Sequence, residues 1–542
     1  MPRSAKRSNS QKPVSAFSAA PAAFVAAFYA NLLPADLASF SANDQLRIAA
    51  SIWALDQSRR VGKPAVRVFN PSPEADGWTV DHTVIEIIND DMPFLVDSIT
   101  GTLQRRGLGV HIVIHPVIAI RRDIKDRPVG VAGAKATDAM SESFIHIQID
   151  HCFDGAQLKS IEEDIRATLQ DVRAAVEDWH IMRDRMHQAV ESLDALKPHS
   201  DAGEDIEEVR AFLRWLSDDN FTFLGYREID LKQKGVDVTS IHIVPDSGLG
   251  VLRDDEARMF GGLRDFDKRK NASLRQYVRQ NHVLFVTKTN AVTRVHRALP
   301  MDAVFVRHFN TAGELVKEKL FVGLFTSKTY AQTPGEIPFM RRKIADVVDR
   351  IGYAPKSHDG RRLTHILNTY PHDELFQISE DELYANALGI LQLQERARVA
   401  LLTRRDPFGR YVTCLVYVPR DRYDSALRVR TQEFLEKAFA GKAQSWNVRI
   451  DDGRLARAFV TIHLTPESPD PDPMQLENGL RDMCRTWADK LRDSLVSAYG
   501  EGTALMLLRR YADAFPEAYR DTVPPIHAVQ DVRSLEYVRA AP

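Results

Sequence analysis

Cysteine is scarce in this chain: Cys152, Cys414 and Cys484 are the only three in 542 residues. An odd number at wide spacing excludes a disulfide framework and the paired spacing of a zinc site, so a reducing cytoplasm is the expected compartment. An excess of charge of either sign is also missing. The 72 Lys and Arg against 74 Asp and Glu leave a net charge of -2, which gives no global drive toward nucleic acid or anionic membranes. The basic clusters Asp267-Lys-Arg-Lys-Asn271 and Arg341-Arg342-Lys343 carry no nucleic-acid motif and are expected on solvated faces. Phe221 to Arg227 reads as the alternating faces of a buried strand rather than a base-stacking platform. Neither a nucleic-acid nor a membrane partner is expected. No run reaches the ~18 consecutive apolar residues of a membrane span. Ala16 to Leu33 follows Arg3, Lys6, Arg7 and Lys12 as a secretory signal would, but Pro21 and Asn31 interrupt it. Phe24, Ala27, Phe28 and Leu32 recur at helical spacing instead, so residues 1–23 are expected to be a disordered tail ahead of an amphipathic helix.

Phosphate-cradling glycine loops are missing too. Gly107-Leu-Gly109 has Ile112 in the third glycine's place, Gly248-Leu-Gly250 has Arg253, and Gly500-Glu-Gly502 has Leu505. None joins a strand to a following helix in the required order, so none is a dinucleotide fingerprint. A Walker loop and a nucleophile elbow are absent as well. No catalytic residue and no cofactor-binding residue is therefore assigned to this chain.

What is present centres on Thr83 to Asp123. Val84, Ile85, Ile87 and Ile88 form an apolar, β-branched run that suits a buried strand. Asn89-Asp90-Asp91 stops it; Asp91 is placed to cap a helix with Pro93 in its first turn. Met92, Leu95, Val96, Ile99 and Leu103 share a helical face, and Gly107 ends the helix after Arg105 and Arg106. Val110 to Ile120 is a second strand in which Pro116 demands a bulge or an edge. Phe144 to Ile149 is a third, and Gln157 to Trp179 a second helix. This β-α-β-β-α order is that of a ferredoxin-like sensing module. Unpaired amides at the start of its first helix suit a carboxylate, and Asp90, Asp91 and Asp97 suit an ammonium. Asn89, Asp90, Asp91, Met92, Pro93 and Asp97 are therefore the candidate site for an amino-acid effector. Capping and dipole roles alone would also account for Asp91 and Asp97.

The fold class is α+β and multidomain, with ferredoxin-like (ACT-type) and PAS-like sheet modules joined by helical spacers. The expected order is a helix plus ACT-like module over 24–197, ending in the linker Lys197 to Gly203. A mainly antiparallel, PAS-like sheet over 204–334 and a helical spacer over 335–397 follow. A second ACT-like module occupies 398–465, with hairpin turns at Asp406-Pro-Phe-Gly409 and Asp451-Asp-Gly453. Helices Gln475 to Tyr499 and Thr503 to Ala514 fill most of 474–542, and Asp531 to Val538 looks like the start of another strand, as if the chain were a fragment. Ser379 and Glu382 form a capping box. His111, His115, His146 and His151 lie on or near neighbouring strands, but no carboxylate is placed to complete a metal site, and none is assigned. His358, Asp359, His365, His372 and Asp373 fall at helix ends, where capping and dipole roles suffice.

Several of these stretches resemble the large bacterial NAD-specific glutamate dehydrogenases. They are Asn89-Asp-Asp-Met-Pro-Phe-Leu-Val-Asp97, Leu213-Arg-Trp-Leu-Ser-Asp-Asp-Asn-Phe-Thr-Phe-Leu-Gly-Tyr226 and Pro371-His-Asp-Glu-Leu-Phe-Gln-Ile-Ser-Glu380. Arg404-Arg-Asp-Pro-Phe-Gly-Arg410 and Tyr417-Val-Pro-Arg-Asp-Arg-Tyr423 extend the likeness, which runs from about Phe24 onward. The resemblance implies a longer polypeptide whose N-terminal region carries ACT-type and PAS-type modules ahead of a dehydrogenase domain. That domain would bind NAD and convert L-glutamate to 2-oxoglutarate and ammonium. This chain would be the regulatory and oligomerisation region, inactive alone, contacting neighbouring subunits as a homo-oligomer; a ligand-free assembly scaffold is the alternative.

Overall fold

The computed structural model describes residues 19–133, 136–193, 205–234, 237–254, 282–310, 312–393, 398–450, 453–465 and 467–540. The linker expected at Lys197–Gly203, the cluster at Asp267–Asn271 and the turn residues 451–452 lie outside them. The described residues up to 331 form one compact unit and those from 332 another.

The first unit opens with helices α1 (Ala22–Tyr29), α2 (Pro34–Leu37) and α3 (Ala42–Asp56). Ser41 caps α3, its hydroxyl accepting from the Asp44 amide at 3.1 Å. Strands β1 (Ala65–Phe69), β2 (Thr83–Asp90), β3 (Val110–Ile114), β4 (Val117–Arg122), β5 (Pro128–Val131) and β6 (Met140–Ile149) make one sheet in the order β1-β2-β6-β4-β5, with β3 also on β6. Pro116 splits the expected second strand into β3 and β4, since it has no N–H for the ladder; its carbonyl accepts from Phe144 instead. Helices α4 (Leu95–Arg105) and α5 (Gly155–Glu177) complete the β-α-β-β-α run.

This sheet is covered on both faces. Val84 and Ile88 of β2 enter a core with Phe24, Phe28, Ile48, Ile52 and Phe144. The alternation of a strand turns Ile85 and Ile87 to the opposite face, and they are equally buried. Each such side chain withdrawn from water stabilises the fold by about 1.5–3 kcal/mol. Helices α6 (Trp179–Ser192) and α7 (Ile206–Trp215) lead to a second antiparallel sheet. Its strands are β7 (Phe221–Lys234), β8 (Asp237–Ile243), β9 (Leu249–Gly250), β10 (Leu284–Val292), β11 (Pro300–Phe309) and β12 (Leu315–Phe325), ordered β10-β11-β12-β7-β8 with β9 on β7. A bulge falls at Gly323, where a Cβ would stand 2.1 Å from the Thr222 carbonyl oxygen, so only glycine fits.

The second unit begins with helices Met340–Ile351, His358–Asn368, His372–Leu375 and Glu380–Leu393. The Ser379 hydroxyl accepts from the Glu382 amide at 3.3 Å while the Glu382 carboxylate accepts from the Ser379 amide at 3.1 Å, as the capping box requires. Strands β13 (Ala400–Arg405), β14 (Tyr411–Pro419), β15 (Lys442–Ile450) and β16 (Leu455–His463) pair in the order β13-β14-β16-β15. Helices Ser425–Phe439 and Pro473–Met483 cover one face, where Leu427, Leu435, Leu476 and Leu480 meet Val412, Cys414, Val416 and Val460. The preceding helices supply contacts to the other face: Glu374 holds Arg404, Gln377 accepts from Tyr411, and the Thr369 carbonyl accepts from Arg457.

Three expectations need correction here. Arg341-Arg342-Lys343 is not wholly solvated: Lys343 is buried and donates to the carbonyls of Leu375 (2.9 Å) and Ile378 (2.7 Å). Burial pulls its pKa down to about 8. The expected helix from Gln475 to Tyr499 is two helices, because the capping box of Thr486 and Asp489 starts a new one at Trp487. Asp531 to Val538 is not a strand but lies in the helix Pro525–Ala540, whose Ala528 and Val532, four apart, enter one apolar cluster.

Candidate functional site

The six candidate residues lie at the end of β2 and in the connection to α4. Asn89 is buried, and its side-chain oxygen accepts from Arg173 of α5 at 3.0 Å. Asp90 accepts from the same guanidinium at 2.7 Å and pairs with Arg59 as well. Burial works against the charge of Asp90, but Arg173 and Arg59 outweigh it and hold its pKa below the usual carboxylate value. Asn89 and Asp90 therefore anchor the strand end to α5 and to the segment after α3.

Asp91 does not cap a helix. The helix starts at Leu95, and Phe94, with a left-handed φ of 72°, stands at its cap without a side-chain hydrogen bond. The Asp91 amide donates to the Ser141 carbonyl (3.1 Å), and its carboxylate accepts from the Ser143 hydroxyl (3.0 Å). Pro93 accordingly sits in the turn before the helix rather than in its first turn, because pairing with β6 carries Asp91 past the strand end. Asp91, Pro93 and Asp97 are exposed, and Met92 is half-buried.

The second sheet reaches this loop from the connection between β10 and β11. His296, itself left-handed at φ 64°, donates its amide to the Ser98 hydroxyl (2.9 Å), and its ring lies tilted against Phe94 with centroids 5.0 Å apart. Its ring nitrogen lies 3.3 Å from Asp97. Arg105 donates to the Thr293 carbonyl at 3.0 Å, so both ends of α4 touch the same loop.

Behind the candidate loop is a buried ionic cluster. Glu142 of β6 pairs with Arg59 at 2.6 Å and with Arg122, which also holds Asp56. Glu86 of β2 accepts from Ser51 (2.7 Å) and lies 3.2 Å from Arg67. Burial pushes the Asp56 carboxyl up to about 6, against the pull of Arg122. None of these residues was singled out from the sequence. The available signal was a charge inside an apolar strand: Glu86 interrupts Thr83–Ile88, and Glu142 precedes Phe144–Ile149.

The histidines do not converge. His111 pairs with Asp150 (2.8 Å) and stacks on His82, His115 faces Ser143 (3.2 Å), His146 lies beside Gln148 and His151 beside Asn70. Among the described residues no group of three metal-ligating side chains comes together, and no helix is long and apolar enough to cross a membrane.

Four family models match the chain in sequence: the glutamate dehydrogenase ACT1 domain over residues 24–165, helical motif 1 over 337–396, the ACT2 domain over 400–488 and helical motif 2 over 494–538. The chain is similar to the NAD-specific glutamate dehydrogenase of Halomonas elongata, 36% identical over 94% of this chain and 32% of that protein. The chain belongs to the large NAD-specific glutamate dehydrogenase family. Proteins of the same name from Pseudomonas aeruginosa (33% identical, 94% of this chain, 31% of theirs) and Mycobacterium tuberculosis (25%, 89% and 29%) extend the match. The chain thus spans about a third of the length of the curated relatives it matches. The family resemblance read from the motifs holds, and the candidate loop and the buried cluster of Asp56, Arg59, Glu86, Arg122 and Glu142 lie within the stretch that the ACT1 model matches.

Proposed function

We propose that this chain is the regulatory and assembly region of an NAD-specific glutamate dehydrogenase, and that an amino-acid effector binds where β2 meets α4. The observation that carries this reading is the ACT1 strand–helix connection. It combines first-turn amides with no intrahelical acceptor and an exposed carboxylate, Asp91, in a loop that also touches the second sheet through His296. The effector's carboxylate meets the amides of Leu95 to Asp97, its ammonium meets Asp91, and Met92 and Pro93 line the side-chain end. Occupation changes how α4 sits against the loop of His296, which couples the ACT1 domain to the second sheet. The order of that sheet, with its first strand β7 between its second and its last, supports a PAS-like sensing module. The region also joins subunits into a homo-oligomer. NAD and the oxidation of L-glutamate belong to the part of the family protein beyond this chain.

Calorimetry with a panel of amino acids tests the site. At least one gives heat with the chain and none with Asp91→Ala; silence across the panel contradicts the reading. A ligand-free assembly scaffold is favoured by one observation, the engagement of Asn89 and Asp90 by Arg173 and Arg59. It requires a mass that depends on concentration together with no thermal shift for any metabolite.

A further inference from the structure

Asp91, the carboxylate that would meet an effector's ammonium, is one end of a hydrogen-bonded chain of side chains. Ser143 of β6 is fully buried, and its hydroxyl donates to Asp91 at 3.0 Å. Nε2 of His115, in the turn between β3 and β4, lies 3.2 Å from the same Ser143 oxygen. Pro116 shapes that turn: its carbonyl takes the Phe144 amide, and Val117 then stands directly opposite Ser143. Asp91 arrives from the other side, its amide on the Ser141 carbonyl at 3.1 Å. Segments far apart in the sequence thus meet at one buried hydroxyl.

A hydroxyl has one proton to give and an ionised carboxylate can only accept, so the Ser143 proton goes to Asp91. His115 then carries its own proton on Nε2 and donates it to the Ser143 oxygen, which leaves Nδ1 to gain a proton on acidification. Burial holds the His115 imidazole below the ordinary histidine value, and the Asp91 carboxylate pulls more weakly the other way. At neutral pH the ring is therefore uncharged. The neighbouring charged and titratable groups have other partners. Asp90 is held by Arg173 and Arg59, and Glu142, on the opposite face of the sheet, by Arg59 and Arg122. Asp97 lies 3.3 Å from His296, and His146, opposite Ile114, lies beside Gln148.

We propose that Asp91, Ser143 and His115 act as one proton-sensitive relay, in which a proton on His115 opposes the capture of an ammonium at Asp91. The gating rests on Asp91 being the effector's anchor; the relay itself does not. An imidazolium and an ammonium at the two ends of one short chain repel each other and compete for the same carboxylate. By linkage, a bound effector lowers the proton affinity of His115, and its own affinity falls as pH drops through the His115 titration. Across two hydrogen bonds near the surface this repulsion amounts to about fivefold in affinity.

Two measurements keep the relay and the effector reading apart. In the free chain with isotope-labelled histidine, the His115 resonance is identified by its loss in His115→Gln. Its midpoint falls by about half a pH unit or more in Asp91→Asn, because the charge that favours the imidazolium is gone. An unchanged midpoint overturns the relay. Calorimetry with the standard amino acids at about pH 7.5 and about pH 5.5 then tests the gating. Each one that binds does so about fivefold more weakly at the lower pH in the parent, and His115→Gln, which keeps a donor for Ser143, loses that difference. The same difference in His115→Gln overturns the proposal. Silence of every amino acid overturns the effector reading and the gating with it, while the His115 midpoint in the free chain still decides whether the relay exists.

Discussion

The two ACT sheets are built alike and closed differently. In each, the strand that begins the β-α-β-β-α run lies between the last strand of that run and a strand that precedes the run: β1-β2-β6 in the first, β13-β14-β16 in the second. In each, earlier helices cover the face that the run's own helices leave open. The first sheet makes that closure with an apolar core around Phe24, Ile48 and Ile52 plus a cluster in which Glu142 serves both Arg59 and Arg122. The second uses one bidentate pair, Arg404 with Glu374, beside single bonds from Tyr411 and Arg457. A shared carboxylate ties three segments together, so its loss strands more than one charge, whereas an isolated pair can be replaced as a unit.

Removing Glu142 is expected to have the largest effect. Glu142→Ala leaves two buried guanidiniums short of a partner and lowers stability by about 5 kcal/mol or more, measured by denaturant unfolding. A loss under about 2 kcal/mol would mean that Asp56 and Asp90 suffice and that the cluster is not a shared one. Next comes Glu374→Ala, which leaves Arg404 alone and costs about 3 kcal/mol. The double change Glu374→Leu with Arg404→Met restores stability to within about 1 kcal/mol of the parent or above it. If the double variant is as unstable as the single one, the pair is not a replaceable unit.

These contrasts mark where sequence reasoning stopped. Residues 84–88 and 144–149 were legible as strands because each is a short apolar run with β-branched residues. The family could be read from long motif matches. The closure of the sheets could not, because it depends on partners far apart in the chain: Arg122 with Asp56, Arg404 with Glu374. Asp91 was misplaced for the same reason. A local rule made it a cap, while Ser141 and Ser143, some fifty residues on, bind it to the sheet. Lys343 looked solvated beside two arginines because nothing local announces the carbonyls of Leu375 and Ile378.

A pH series separates two buried titrating groups, Asp56 in the first unit and Lys343 in the second, by sign. The fold holds a proton on Asp56 up to about pH 6, whereas an unfolded carboxyl loses it near 3.8, so the folded state carries the extra proton between them. Stability from this group therefore falls as pH rises through that window, and Asp56→Asn removes the slope. Lys343 gives the opposite sign. Its folded pKa of about 8 lies below the ordinary 10.5, so the unfolded state binds more protons in that interval and stability rises with pH. Thermal midpoints of Asp56→Asn and Lys343→Met against the parent report each slope, and slopes of the same sign would contradict the contrast. The smallest effect comes from a single neutral bond: Tyr411→Phe, which loses Gln377, costs about 1 kcal/mol in the same unfolding experiment.

The most direct test of the regulatory reading is hydrogen–deuterium exchange across 91–98 and 293–298, with and without each amino acid at millimolar concentration. The account requires at least one amino acid to slow exchange in both segments together, because His296 and Ser98 share a hydrogen bond that occupation of the loop stabilises. No change in either segment for any amino acid, or protection confined to one of them, would contradict it.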